Sequence, residues 1–70
     1  MTRFDLAFMQ GAREWTECVE VTTLRRARMM AGIRLKELGE PVSVSILSDD
    51  GEALGVLHLI DGVIIWDPAD

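Results

Sequence analysis

The sequence lacks the residues on which most small stabilised sites depend. Of its 70 residues only Cys18 is a cysteine, which excludes an internal disulfide. His58 is the single histidine, so no Cys/His cluster has the spacing of a structural metal site. The six glycines fall singly, and no glycine-rich loop is present to hold a phosphate. We therefore expect no cofactor and no metal, and the cysteine content fits a reduced, cytoplasmic setting.

Long apolar runs are missing too. The longest, residues 53–66, is interrupted by Gly55, His58, Asp61 and Gly62, so it cannot cross a bilayer as a helix. Residues 1–6 have neither the basic start nor the continuous apolar stretch of a signal peptide. We expect a soluble protein without membrane insertion or secretion.

The sequence contains no recognisable set of catalytic residues. Acid–base or nucleophilic catalysis needs a nucleophile, a nearby base and a group that stabilises the developing charge. The candidates are His58 among apolar neighbours, Cys18 without a basic neighbour, and scattered carboxylates. The acidic turn around Gly51 lacks the ligand spacing of a calcium loop. We therefore predict that the protein is not an enzyme, and a carrier of small ligands is equally disfavoured.

The charges that are present are distributed unevenly. Twelve acidic and seven basic residues give a net charge of −5, which opposes general affinity for nucleic acid or anionic membrane. Five of the basic residues lie within residues 24–36, where no acidic residue occurs: Arg25, Arg26, Arg28, Arg34 and Lys36. This segment suits an acidic partner, although its charges could also merely solvate a helix.

The basic segment coincides with the clearest helix signal, over residues 22–39. Thr22 or Thr23 can cap the start, while Gly39 followed by Pro41 marks the end. Gly32, inside the helix, predicts either a bend or a close approach by another group. One side of the helix carries an apolar stripe, flanked by Met30, that should face a core: Leu24, Ala27, Ala31, Leu35 and Leu38.

The opposite side of this helix combines apolar and cationic residues. Met29 and Ile33 lie at its centre, surrounded by basic side chains. An apolar centre with a charged rim is typical of a surface that binds another macromolecule. The predicted partner-binding residues are Arg25, Arg26, Met29, Ile33 and Lys36.

The remaining sequence predicts five strands. Alternating apolar residues over 3–9 and 14–21 indicate a hairpin around residues 10–11, with a helix over residues 5–20 as the alternative. Glu17 is the one charged residue on the core side, which suggests a position near a sheet edge. Segments 42–47, 53–60 and 63–66 follow the helix as strands joined by turns at residues 49–51 and 61–62. The tail, residues 67–70, is expected to fray.

The element order ββαβββ predicts a single α+β domain over residues 1–70, with one helix packed across a mostly antiparallel sheet. Two-residue loops would produce four cross-strand pairs: Val44–Leu57, Leu47–Leu54, Leu57–Trp66 and Ile60–Val63.

This register makes both faces of the last three strands apolar. A core of this size contributes only about 3–5 kcal/mol, and one helix covers only one face. We therefore predict a homodimer or a stable protein partner on the second face, unless the first hairpin folds over it and closes a small barrel. Leu47 and Leu54 belong to that face, and the residues predicted to form the interface are Val56, His58, Ile60, Val63 and Ile65.

The element order, short length and absence of catalytic residues resemble small phage or mobile-element proteins, among them some anti-CRISPR inhibitors. The resemblance covers the whole chain as architecture and includes no shared motif, so it assigns no functional residue. It implies a protein that binds and occludes a surface of a larger complex, such as a host nucleic-acid-handling machine. The alternative is a nucleic-acid-binding module that uses the basic helix face, residues 25–36.

Overall fold

The computed structural model describes residues 1–69 and confirms the predicted α+β architecture. One antiparallel sheet has the strand order β2-β1-β3-β4-β5, so β2 and β5 form its two edges. A single helix lies across one face. The elements are β1 (Thr2–Gln10), β2 (Arg13–Val21), α1 (Leu24–Leu38), β3 (Val42–Ser48), β4 (Ala53–Ile60) and β5 (Val63–Pro68).

The helix begins and ends where its capping residues predict. The Thr23 side chain accepts a hydrogen bond from the Arg26 amide at 3.2 Å, and the Gly39 amide donates to the Leu35 carbonyl. Ala27, Ala31 and Leu35 are fully buried. Because two of these three side chains are methyl groups, the helix backbone can approach the sheet closely.

The core lies between α1 and the covered face of the sheet. Phe8 stacks on Trp15 with ring centroids 5.3 Å apart, which joins β1 to the edge strand β2. The buried side chains come from four of the six elements: Phe4, Leu6, Phe8, Ala27, Ala31, Leu35, Val42, Val44, Ile46, Leu57 and Leu59.

The first 21 residues form a hairpin, so the alternative helix over residues 5–20 is wrong. Its loop is the pair Gly11 and Ala12, and Gly11 has the positive φ of 62° that glycine adopts without strain. β1 pairs with β3, which makes the hairpin an extension of the sheet in its own plane. It therefore does not cover the second face, and the barrel alternative is also wrong.

The turn between β3 and β4 corrects one predicted register. Leu47 pairs with Ala53 and not with Leu54. The Ser48 amide donates to the Glu52 carbonyl, which leaves a three-residue loop ending at Gly51 with φ of 90°. A bulge restores the predicted register beyond it, and Leu54 packs against the core instead of joining the second face. The other three predicted pairs, Val44–Leu57, Leu57–Trp66 and Ile60–Val63, are confirmed.

The same turn is closed by its own polar side chains. The Ser48 hydroxyl donates to Asp50, and the Glu52 amide donates to both side chains. The hydrogen bond from Ser48 lowers the pKa of Asp50. These contacts account for the acidic residues there as turn-forming groups.

The end of β5 extends further than predicted. Asp67 and Pro68 belong to the strand, and the Ala69 amide donates to the Leu54 carbonyl at 3.1 Å. The expected fraying of the tail is therefore wrong for these three residues, while Asp70 lies outside the described residues. β4 and β5 are paired from the turn at residues 61–62 to Pro68.

On the β2 side, an ion pair fixes α1 against the sheet. Arg34 donates from Nε and Nη2 to the Glu17 carboxylate at 3.0–3.1 Å, and Trp15 Nε1 donates to the same carboxylate at 2.9 Å. Glu17 lies on an edge strand, as its polar character predicts. Hydrogen bonds from Arg34, and a weaker contribution from Trp15, hold the pKa of Glu17 below its ordinary value of 4.5.

On the β5 side, the helix contacts an aromatic ring and not a carboxylate. The Arg28 guanidinium lies 4.4 Å from the centroid of the Trp66 ring. The same indole lies close to Gly55, where a Cβ atom would be only 2.3 Å from Trp66 Cη2. Gly55 also has a φ of 156°, which side chains rarely adopt. Only glycine therefore fits beneath this ring.

Replacing Gly55 by alanine should destabilise the fold by about 1–3 kcal/mol, because the added methyl group overlaps Trp66. Thermal unfolding measures this as a lower Tm, by roughly 4–8 °C per kcal/mol for a domain of this size. Gly32→Ala is the matched control: a Cβ there meets no atom within 4 Å, so it should raise stability by up to about 1 kcal/mol. Equal Tm values for Gly55→Ala and the unmodified chain would contradict the packing described.

The pair of Glu17 and Arg34 should make stability depend on pH in the acid range. Because the folded pKa of Glu17 is lowered, the stabilisation is complete above pH 4.5 and is lost as pH falls through the folded pKa. Glu17→Gln should lower the urea midpoint of unfolding at neutral pH. It should also make this midpoint fall less steeply as the pH is lowered into the acid range. Glu20→Gln, on the outward side of the same strand, should leave the decline unchanged. Parallel profiles for the two variants would refute a stabilising role of the pair.

Candidate functional site

A groove runs between α1 and the edge of the sheet formed by β4 and β5. Its volume is about 520 Å³, and we call it the basic groove. It is lined by Arg25, Arg28, Met29, Gly32, Ile33, Lys36, Leu57 and Ile64.

The groove has apolar surfaces on both sides. Leu57 is buried and Ile64 half-buried in the sheet, whereas Met29 and Ile33 of α1 leave 57% and 59% of their surface exposed. Side chains of this type are normally covered when they lie together. The groove is therefore an apolar surface that the described part of the chain does not cover.

Gly32 leaves open space on the helix side of the groove. The helix is uninterrupted from Leu24 to Leu38, and no atom outside it lies within 4 Å of a Cβ placed at Gly32. The two predicted reasons for Gly32, a bend or a close approach, therefore find no support within the described residues. Glycine inside a helix costs about 1 kcal/mol relative to alanine. A group packed here from outside the chain would supply a physical reason for this residue.

Cations rim the groove, and none of them forms a salt bridge with a carboxylate within residues 1–69. In the described part of the chain, salt bridges join Arg3 to Asp5 and Arg34 to Glu17 and Glu37. Arg25 and Lys36 belong to none of these, and the Arg28 guanidinium lies on Trp66. The groove is therefore a positive region on a protein whose net charge is −5.

Four of the five helix residues predicted to bind a partner lie together in the groove: Arg25, Met29, Ile33 and Lys36. Arg26 is exposed but does not line it. Sequence reasoning missed Arg28, Gly32, Leu57 and Ile64 as groove residues. Of these four, only Gly32 could have been recognised from the sequence, as an unusual residue inside a helix. Whether the other three line the groove depends on where the helix crosses the sheet.

The second candidate surface is the sheet face without a helix. Val56 and His58 are half-buried there, while Ile60, Val63 and Ile65 expose 51%, 57% and 45% of their surface. His58 lies opposite Ile65 on one side and Ser43 on the other. On β1 and β2 the same face carries mainly polar residues such as Asp5 and Glu14, with the exposed Met9 among them. The apolar side chains are concentrated on β4 and β5, and we call this part the open-face patch.

Neither surface contains a recognisable reactive centre. No group of three or more His, Cys, Asp or Glu side chains is arranged to hold a metal ion within residues 1–69. Cys18 is exposed on the polar part of the open face. Over the same residues, no helix is long and apolar enough to span a membrane. The geometry offers binding surfaces, and the absence of enzymatic activity stays a prediction.

Comparison with protein-family models, with curated proteins and with solved structures found no match.

The open-face patch should make the protein a homodimer, because a second copy would cover Ile60, Val63 and Ile65 symmetrically. Sedimentation at micromolar concentration should give the mass of two chains. Ile60→Asp should convert this species to single chains, since it would bury an unpaired charge. Thr16→Asp, on the polar part of the same face, is the control and should leave the mass unchanged. A single-chain mass for the unmodified protein would rule the dimer out.

Proposed function

We propose that the protein is a non-enzymatic binding protein that docks on a larger macromolecular partner through the basic groove and thereby occludes a surface of that partner. The observation that supports this proposal most directly is the open apolar space beside Gly32, bordered by Arg25, Arg28 and Lys36.

The partner favoured by this chemistry is a protein segment that is both acidic and apolar. Met29, Ile33 and Ile64 supply the apolar area on which affinity depends. The cations accelerate encounter with an acidic surface and disfavour a basic one. The molecule as a whole is acidic, so attraction is confined to this one region.

Occlusion is the mode of action that fits a small chain whose described residues form binding surfaces and no recognisable reactive centre. The architectural resemblance to anti-CRISPR inhibitors supports a specific form of the proposal, in which the occluded partner is a host nucleic-acid-handling complex of a phage-infected cell. In that form the protein inhibits by blocking access to a surface.

Direct nucleic-acid binding is the second candidate, supported by the cations Arg25, Arg26, Arg28 and Lys36 on one helix, none of which is joined to a carboxylate in the described residues. Phosphate binding by such a group releases counterions and weakens steeply as salt rises. The two exposed apolar side chains between these cations, Met29 and Ile33, contribute nothing to phosphate contact. The protein partner is therefore preferred.

The groove can be tested with a pair of charge substitutions on one helix. Ile33→Asp should reduce capture of a protein partner by about tenfold or more, because it places a carboxylate in the apolar contact. Met30→Asp is the matched control: Met30 is 49% exposed on the same helix but does not line the groove, and capture should stay within about twofold. Quantitative mass spectrometry of proteins cross-linked to each variant provides the measurement.

Equal capture by Ile33→Asp and Met30→Asp would reject the groove as the docking site. A nucleic-acid duplex measured in parallel tests the second candidate. Binding at low salt that falls steeply with added salt, and that Arg25→Glu with Arg26→Glu abolishes, would replace the protein partner with nucleic acid.

A further inference from the structure

The two edges of the sheet differ in how they are protected. β2 carries Glu14, Glu17 and Glu20, and charged side chains of this kind discourage pairing with another strand. β5 has no charged residue from Val63 to Trp66. Its edge is therefore the one that remains able to accept a further strand.

The backbone groups at the β5 edge can be assigned from the turn that precedes it. Asp61 and Gly62 both have positive φ, as in a type I′ turn, which makes Ile60 and Val63 a hydrogen-bonded pair. Hydrogen-bonded pairs alternate along an antiparallel ladder, so Ile64 and Trp66 direct their N–H and C=O groups away from β4.

The far end of β5 agrees with this assignment. The Ala69 amide donates to the Leu54 carbonyl, as expected if the odd-numbered residues direct their backbone groups toward β4. Pro68 is an even-numbered residue whose backbone faces away from β4. Its missing N–H therefore removes no hydrogen bond from the ladder with β4. The free edge therefore presents two N–H donors, from Ile64 and Trp66, and the C=O acceptors of these two residues and of Pro68.

This edge and the basic groove are adjacent. Ile64 belongs to both, since its backbone faces outward and its side chain lines the groove. An added strand would lie about 4.8 Å from β5 and direct alternate side chains toward α1. Gly32 leaves space on the wall of the groove for those side chains.

Charge distinguishes the two available occupants of this edge. In a second copy paired through β5, each basic groove would approach the other, bringing Arg25, Arg28 and Lys36 of both chains together. The like charges of the two grooves would repel each other. An acidic segment would instead be attracted to these cations.

We propose that the partner binds as an extended segment, acidic and apolar in composition, which pairs with the free edge of β5 as a sixth strand and places alternate side chains in the basic groove. This inference rests on the proposed function for the role of the groove, and it adds the conformation and composition of the bound segment.

The test uses the full chain and a synthetic peptide of about eight residues in which Glu and Val alternate. Fluorescence anisotropy should show saturable binding, and replacing Glu by Lys should abolish it. Two further peptides carry N-methyl groups at one or the other set of alternate residues. One set should weaken binding by about tenfold or more, since it removes the donors that face β5, and the other should bind nearly as well as the parent.

Hydrogen exchange measured by NMR locates the contact. Peptide binding should slow exchange of the Ile64 and Trp66 amides by about tenfold or more, as expected for amides that acquire hydrogen bonds. The Val63 and Ile65 amides should change little, because they already bond to β4. These four amides provide an internal comparison within one strand.

Several results would overturn the inference. Failure of the Glu–Val peptide to bind, equal binding of the Lys peptide, or equal binding of both N-methylated peptides would each do so. Slower exchange at Ile64 and Trp66 in the free protein as its concentration rises would assign the edge to a second copy. Binding that perturbs Met29 and Ile33 without protecting these amides would reject the added strand while leaving the proposed groove function intact.

Discussion

The packing of α1 on the sheet is the constraint on which the rest of the structure depends. Ala27 and Ala31 bring the helix backbone close, and two arginines then fix its orientation from opposite sides. Arg34 forms a charged hydrogen-bonded contact with Glu17, whereas Arg28 lies on the face of Trp66. Both contacts join the helix to edge strands, so one helix restrains the full width of a five-stranded sheet. A core built from so few residues leaves little reserve if either contact is lost.

The two sides of the helix are closed to different extents. Toward β2, the Trp15 indole N–H and the Arg34 guanidinium both donate to the Glu17 carboxylate and join the helix to the sheet. Toward β5, Trp66 lies low over Gly55, and Gly32 has no side chain to meet it. The basic groove lies on this side, and Gly32 contributes to it because it has no side chain to occupy the space.

Local signals predicted the elements, and long-range contacts determined the candidate site. Thr23, Gly39 and the Asp61–Gly62 turn each act within a few residues, which explains why the helix ends and the last hairpin could be predicted. The turn before β4 was harder to predict because Gly51 ends a three-residue loop. The bulge that restores the register lies at Leu54. The groove joins α1 to Ile64, which are far apart in the chain. Its existence depends on the crossing of helix and sheet, for which the sequence carries no periodic signal.

Exposed strand edges and apolar patches are hazards for a protein that acts alone, since they promote unwanted pairing. β2 reduces this hazard with glutamates on its own strand. From Val63 to Trp66, β5 has no such charges, yet Arg25, Arg28 and Lys36 lie beside it on the helix and oppose pairing of an identical chain at this edge. Placing the protective charge on a neighbouring element leaves this part of the strand apolar. The edge then remains open to a segment of opposite charge, and the same cations that discourage self-pairing become the basis of selectivity.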